Sequence, residues 1–514
     1  MRLDTLLASY AGQTPGTTAL VFGSRRVNYR DLHQAAFAIA GGLHKEGVGP
    51  GDRILVYLPN CVEFVEVLFA AFMLGAIVVP VNTRLTAKEL AYFVQNSQPA
   101  ALFIHSDAWD GLRDIAADIS GPKWYVVGKP VPGKEAYGNL LTHDVVKLPD
   151  VPVSVEDCMI LYTSGTTGKP KGAIITSANV IVQHYFLNAI DWGIGRNDCF
   201  LVTTPLAHRT GLARLMNALC LGTTVVVMER FDPEAALALI EREKITAVGM
   251  VPTVARMLMP SMKAHTDRCR SLRHIIVTGE AFPVGLKKTL IELLPKVQLH
   301  SFFAMTEVGS ITLLKHEEQF THAASVGRPT PGVEVKLLDD SGNDVPVGEV
   351  GEVLARSGMP GRYTTMRGYY NLPAETARTI VDGWIHTGDM GRFDEQGYLY
   401  VVDRKKDMVL SGGFNIYTKE VEQALFEHPA IADAAVVGVP DETYGEAVVA
   451  FIKVRDGCSI GAEEVIEHCR SRIASYKKPK HVFFIETLPR NSLGKTLKTE
   501  LRKTALHNLA TKGA

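Results

Sequence analysis

The chain carries almost no net charge: 54 Lys and Arg offset 55 Asp and Glu, leaving −1. A polyanion-binding surface is therefore not implied, and nucleic acid is not an expected partner. Cysteine is sparse and scattered. The seven (Cys61, Cys158, Cys199, Cys220, Cys269, Cys458 and Cys469) include no Cys-x-x-Cys pair, which argues against a disulfide framework and for a reducing, cytoplasmic compartment. No apolar run reaches the ~20 residues that a membrane-spanning helix needs, so integral membrane association is not expected. The most membrane-like stretch, VLFAAFMLGAIVVPV at 67–81, is broken by Gly75 and Pro80; it is expected to be a buried helix turning at Gly75 into a buried strand. The opening MRLDTLLASYAGQTPG lacks the basic-then-apolar order of a secretory signal, and the mature chain is expected to begin there. Neither a fixed-period repeat nor a low-complexity segment occurs.

At 514 residues the chain exceeds what one hydrophobic core usually serves, so several compact units are expected. From about residue 50 to 300, strand-length apolar runs (RILVYLP, AIVVPVN, AALFIH, CMILYTSG, TVVVMER, ITAVGMVP, HIIVTGE) alternate with helical patterns. That rhythm means an α/β fold with buried, largely parallel sheets. After about residue 325, short runs punctuated by Gly, Asp and Pro imply antiparallel hairpins in a barrel-like or small-sheet module. A charged stretch, DRKKD at 403–407, then precedes a set of strands and helices that reads as a separate α+β domain. The boundary is placed at 405/406, giving domains 1–405 and 406–514.

The stretch LYTSGTTGKPKG at 161–172 packs glycines, hydroxyl residues and lysines directly behind an apolar strand. Glycines permit the positive-φ conformations with which backbone N–H groups form an anion nest. The hydroxyls of Thr163, Ser164, Thr166 and Thr167, with Lys169 and Lys171, suit a phosphate. It is neither a Walker A sequence nor a dinucleotide G-x-G-x-x-G; a flexible polar hairpin is the bland alternative.

YTSGTTGKPKG resembles the phosphate loop of the adenylate-forming superfamily, which contains acyl-CoA synthetases, firefly luciferases and the adenylation domains of peptide synthetases. The resemblance continues through FFAMTE (302–307), GYYN (368–371), GWIHTGD (383–389), DRKKDMVLSGGFNIY (403–417) and LPRNSLGK (488–495). It implies a large N-terminal domain of α/β subdomains plus a distorted β-barrel, with a smaller, mobile α+β C-terminal domain. It also implies ATP, Mg²⁺ and coenzyme A, a small-molecule carboxylic acid as substrate, and two steps: formation of an acyl-adenylate with release of pyrophosphate, then displacement of AMP by a thiol. In that frame Thr163, Ser164, Gly165, Thr166, Thr167, Gly168 and Lys171 hold phosphates. Thr306 serves the α-phosphate and Glu307 the Mg²⁺, where a helix N-cap is the alternative meaning of a lone Thr-Glu pair. Phe303 stacks on adenine, Ala304 lies beside it, and Gly279 and Glu280 hold the purine edge. Asp389 and Arg404 contact the ribose. Lys495 bridges the substrate carboxylate and the α-phosphate, Lys406 marks a hinge, and Gly412 and Gly413 line the pantetheine tunnel. Phe414 stands where a glutamate is more usual.

Which acid is less legible. His208 matches a histidine beside the acyl pocket, and the absence of an F-D-x-S sequence disfavours amino acids. Ala304 replaces the usual glycine, so an added methyl should narrow the pocket and select a short, medium-chain, cyclic or aromatic acid. Arg209 and Arg214 could meet a second carboxylate, but surface positions are expected for them. Alternatives are an enzyme that loads a carrier-protein phosphopantetheine, and a nucleotide-binding regulator without catalysis. A homodimer is the base-rate expectation.

Overall fold

The computed structural model describes all residues except 1, 117–118, 120, 143–146, 153, 155, 164–169, 279–281, 360–361, 491–495 and 513–514, and the side chains of 186, 188, 191 and 512. Its contacts divide the chain into two compact units, Met1–Val335 with Ala355–His386, and Lys336–Leu354 with Thr387–Ala514. Position 405/406 lies inside the second of these.

The first unit holds two large sheets. One runs, edge to edge, through Gly368–Tyr369, Lys171–Thr176, Asp157–Thr163, Ile77–Pro80, Arg53–Tyr57, Ala101–His105, Lys123–Val127 and Glu135–Ala136. From Asp157–Thr163 onward its pairs are parallel, whereas Asp157–Thr163 and Lys171–Thr176 form an antiparallel hairpin. The other follows the order Arg328–Pro329, Gly309–Leu314, Gln298–Met305, His274–Val277, Ala247–Met250, Cys199–Val202, Thr224–Val227, Thr18–Phe22 and Arg25–Asn28. It too is parallel through its middle and reverses in a hairpin, between Gln298–Met305 and Gly309–Leu314. The middle strands are buried on both faces, which is why they read as continuous apolar runs.

Helix Val62–Leu74 shows how the membrane-like stretch is used. Apart from Glu63 and Glu66 it is apolar on all sides, and only Glu63 among its residues escapes full burial, the mark of a helix inside a large core. Gly75 ends it in the left-handed region at φ 66, and strand Ile77–Pro80 follows, wholly buried.

Beyond residue 325 the short strands make the small curled sheet expected there, in the order Val333–Leu338, Gly351–Met359, Trp384–Phe393, Ile380–Val381. In the second unit a five-stranded sheet contains Phe414–Ile416, Val409–Ser411, Gly445–Val454 and Ile431–Asp441, with His481–Phe484 parallel to Gly445–Val454. Along Ile431–Asp441 the side chains alternate between two cores: Ala434 and Val436 join Val421 and Leu425 on one face, while Ala435, Val437 and Val439 join Leu501 and Ala505 on the other. A period of two buried on both sides is what a sheet sandwiched by helices requires. Among the described residues no helix is long and apolar enough to cross a membrane.

Gly75 combines a positive φ with a neighbour, Val151 Cγ1, only 2.6 Å from where a β-carbon would stand. Gly75→Ala is therefore expected to cost about 1–3 kcal/mol from left-handed strain and crowding together, read as a lower urea midpoint; an unchanged midpoint would contradict this account of the helix end.

Candidate active site

Both large sheets change from parallel to antiparallel at the carboxyl end of a central strand, and both reversals carry expected site residues. Strand Gln298–Met305 bears Phe303, whose backbone pairs with Thr312, and then Ala304 after a register shift. The chain turns through Thr306, Glu307 and Val308 into Gly309–Leu314. Thr306 and Glu307 thus occupy a hairpin turn, not a helix N-terminus. Gly309, at φ 100, makes the reversal possible, and a β-carbon there would stand 1.3 Å from Gln183 Nε2.

Glu307 is buried. Its Oε1 accepts hydrogen bonds from Thr163 Oγ1 at 3.3 Å and from the Tyr369 hydroxyl at 2.9 Å, and its carbonyl accepts from Met366 N at 2.7 Å. Burial, and then the negative charge of Glu307, push the Tyr369 hydroxyl well above the usual phenol range, so Tyr369 stays a donor to this carboxylate. A buried carboxylate beside two hydroxyl oxygens is chemistry that suits a hard cation such as Mg²⁺. Among the described residues there is no group of three or more His, Cys, Asp or Glu placed to hold a metal ion. A Mg²⁺ at Glu307 would accordingly take most of its ligands from phosphates and water, the usual arrangement for this ion.

Thr163 ends strand Asp157–Thr163 and faces Lys171 across the hairpin. Lys171 is buried, with its ammonium 2.7 Å from Glu375 Oε2 and 5.1 Å from the centre of the Tyr369 ring. The pairing holds the Glu375 carboxyl below its ordinary range. The ammonium is committed to this carboxylate as the structure stands. The residues expected to hold phosphate between them, Ser164, Gly165, Thr166, Thr167, Gly168 and Lys169, lie outside the described residues, as do Gly279, Glu280 and Lys495.

His208 occupies the residue just before helix Arg209–Leu221, without a side-chain capping bond, and its Nε2 lies 2.7 Å from Asn82 Nδ2. An amide nitrogen only donates, so Nε2 is the acceptor and the ring is neutral. Burial, and then the charge of Arg84, lower its pKa to about 4. The surface expected for Arg209 and Arg214 is not where they are. Arg214 is buried, 5.6 Å from the ring centres of both Trp192 and Phe302, and packs so close to strand Ala247–Met250 that a β-carbon on Gly249 would stand 2.1 Å from its Cδ. Arg209 donates through Nη2 to Asn179 Oδ1 at 3.0 Å and Gln183 Oε1 at 2.7 Å. The helix Arg209–Leu221 is amphipathic only weakly, so its arginines gave no sign in the sequence of facing inward.

In the second unit Asp389 is buried and its Oδ1 lies 2.7 Å from Arg404 Nε, the two facing each other across paired strands. Lys406 is exposed on the turn that follows, and Arg502 Nη2 donates to its carbonyl at 3.1 Å. Gly412 and Gly413, at φ 59 and φ 82, supply the two consecutive left-handed residues that a tight hairpin needs. Phe414, next along, is exposed and stacks on Tyr476 at 4.6 Å. Sequence reasoning assigned no role to Tyr369, Glu375 or Asn82. The GYYN motif contains Tyr369 and could have pointed to it; Glu375 and Asn82 lie in no motif.

The family model for the AMP-binding enzyme matches residues 7–370, and that for the AMP-binding enzyme C-terminal domain matches 420–495. The chain is 35% identical over 497 residues to a feruloyl-CoA synthase of an Amycolatopsis species, covering 96% of this chain and 97% of that one. It is 34% identical over 518 residues to the fatty acid–[acyl-carrier-protein] ligase ScoC of Streptomyces coeruleorubidus, covering 98% and 96%. Among solved structures, O-succinylbenzoate coenzyme A synthetase of Bacillus subtilis, in complex with ATP and magnesium ion, superposes with a TM-score of 0.84 at 29% identity, covering 96% of this chain and 98% of that one.

An unfolded histidine protonates near pH ~6.5, well above the folded value of about 4 for His208. As the pH falls, the unfolded chain therefore takes up this proton first. The stability that the neutral ring provides is complete above about pH 6.5 and is lost as the pH drops toward about 4. His208→Gln should flatten the decline of the urea midpoint between about pH 7 and pH 5; a decline as steep as in the parent protein would refute the assignment.

Proposed function

The chain belongs to the AMP-binding enzyme family and is an AMP-forming acid–thiol ligase that uses ATP, Mg²⁺ and coenzyme A, and on that premise we propose that its acid is compact, with a single ring or a short to medium chain. Ala304 carries the reading: a methyl stands where similar enzymes have glycine, and a close-packed wall registers one carbon. The relatives whose names specify feruloyl and succinylbenzoyl acids, both aromatic, support it.

The roles follow. A carboxylate oxygen of the acid attacks the α-phosphorus of ATP, the bond to pyrophosphate breaks, and the acyl-adenylate forms. The coenzyme A sulfur then attacks the acyl carbon as AMP leaves with the bonding electrons. Mg²⁺ would neutralise the phosphate charge during the first step. Thr163, Tyr369 and Glu307 orient that end of the site, because positioning and electrostatic preorganisation dominate such transfers. Neutral His208 offers the acid an uncharged wall. Asp389 accepts the ribose hydroxyls with Arg404 holding it in place, Lys495 bridges carboxylate and α-phosphate, and the chain turns about Lys406 between the half-reactions, so that 1–405 and 406–514 act as separate bodies. A cytoplasmic homodimer completes the proposal. Seven free cysteines suit the reducing compartment of that proposal.

A second reading has one specific support, the resemblance to a ligase that loads an acyl-carrier protein. Offering the same preformed acyl-adenylate to coenzyme A and to a phosphopantetheinyl carrier protein separates the two.

A panel of acids with ATP, Mg²⁺ and coenzyme A, read as AMP formed, should show ring-bearing or short to medium acids turned over and sixteen-carbon acids poor; the reverse order would sink the substrate assignment. Ala304→Gly should shift the preference toward bulkier acids. Lys495→Ala should cost about 3–4 kcal/mol in the first transition state, roughly 10²–10³ in pyrophosphate exchange, while thiolysis of a supplied acyl-adenylate proceeds. Equal loss in both halves would contradict its role.

A further inference from the structure

The carboxylate of Glu307 is aimed by more than its two hydroxyl donors. Helix Ser177–Ile181 widens into a π-helical turn over Val182–Leu187, an arrangement that is uncommon and tends to persist where a site needs it. It presents Asn179 and Gln183 side by side toward the Thr306–Val308 turn. Asn179 Nδ2 donates to the Val308 carbonyl at 3.2 Å, and Gln183 Nε2 donates to the same carbonyl at 2.9 Å. Both amide oxygens face Arg209. A guanidinium has donors only, so it fixes each amide with its oxygen toward Arg209 and its NH₂ toward Val308. Gly309 leaves the room in which the Gln183 amide sits, and Met366 N holds the carbonyl of Glu307 itself.

We propose that Arg209, Gln183 and Asn179 form a positioning clamp, in which the guanidinium orients two amides that grip the Val308 carbonyl and thereby hold the Glu307 carboxylate where the metal–nucleotide needs it. None of the three touches the reacting atoms; they act through the peptide that follows Glu307. The inference rests on the reading that Glu307 serves the Mg²⁺ of bound ATP.

The test measures metal binding without turnover: Mn²⁺ affinity by electron paramagnetic resonance, with an ATP analogue blocked at the α–β bridge. Gln183→Met removes the amide at nearly constant volume. Gln183→Glu keeps a partner for Arg209 but has no donor for Val308. Both are expected to weaken Mn²⁺ binding roughly three- to ten-fold, the worth of about one neutral hydrogen bond. The KM for the acid should move by less than about two-fold, and the urea midpoint of Gln183→Glu should stay near that of the parent. Glu307→Gln is the control for the underlying reading and should weaken Mn²⁺ binding by more than about ten-fold. If Glu307→Gln weakens it but both Gln183 variants bind as the parent does, the clamp is overturned and the reading stands. If Glu307→Gln has no effect, the reading fails and the clamp with it. Weakening that merely tracks loss of folded protein in the urea titration also counts against the clamp.

Discussion

The arrangement of the first unit depends on keeping one carboxylate, that of Glu307, buried at a hairpin turn. Taking a carboxylate out of water costs several kcal/mol unless donors or cations replace the lost hydration. Here the supports come from two stretches of chain far apart in sequence, Thr163 and residues 366–369. Thr163 arrives from the other large sheet, Tyr369 from the short strand at that sheet's edge, and Met366 N holds the adjoining carbonyl. Arg209 contributes attraction from the helix beyond, although burial draws its own pKa down to about 10. A group with such dispersed support keeps its place only if both sheets are correctly registered, so folding of the core and assembly of the site are one constraint.

The same logic explains why the candidate site residues Thr163, Lys171 and Glu307 lie where the sheets change direction. A parallel strand hands its chain to a long crossover, and its carboxyl end opens into a crevice where loops are free to vary. A hairpin at that end brings the chain straight back. It fixes a short loop at the rim with hydrogen bonds on both sides. Thr163 opposite Lys171, and Met305 opposite Gly309, are the paired residues that frame the two loops.

Much of this was legible. Continuous apolar runs gave the buried parallel strands, and Gly75 gave the turn from helix to strand, because both follow from local chemistry. Strands such as Lys123–Val127 and Cys199–Val202 were not singled out; four or five residues with a charged or polar start barely differ from a buried helix segment. Thr306 and Glu307 were named by motif, but their support was not. Tyr369, Gln183 and Asn179 meet Glu307 or its neighbour from 62, 125 and 129 residues away in sequence, and no local pattern encodes such a meeting. The arginines of helix Arg209–Leu221 misled for a related reason. Charge in a sequence predicts exposure only on average, and a guanidinium that finds amide oxygens or aromatic faces can be kept inside.

The second unit supports its own buried carboxylate, that of Asp389, by a different route. Asp389 sits opposite Arg404 on paired strands, and the guanidinium approaches within 2.7 Å of it. One residue earlier, Asp403 is buried and accepts from the hydroxyl of Thr418 at 2.7 Å, while Thr418 in turn accepts from Lys498 at 2.7 Å. Lys498 also pairs with Glu422 at 2.8 Å. Successive side chains on a strand point to opposite faces, so Asp403 ties this strand to the helices of the unit while Arg404, on the other face, holds Asp389. A rotation of the chain confined to the turn after Arg404 would leave the Asp389–Arg404 pair intact, since both lie before it, but would have to release the Asp403–Thr418 contact, which spans it. That contact is a charge-assisted hydrogen bond, of the stronger kind, so a rearrangement about Lys406 must either replace it with another partner for Asp403 or carry residues 387–404 along with the helices. In such a rotation, the geometry around Asp403 would decide which stretch of chain moved with the C-terminal sheet.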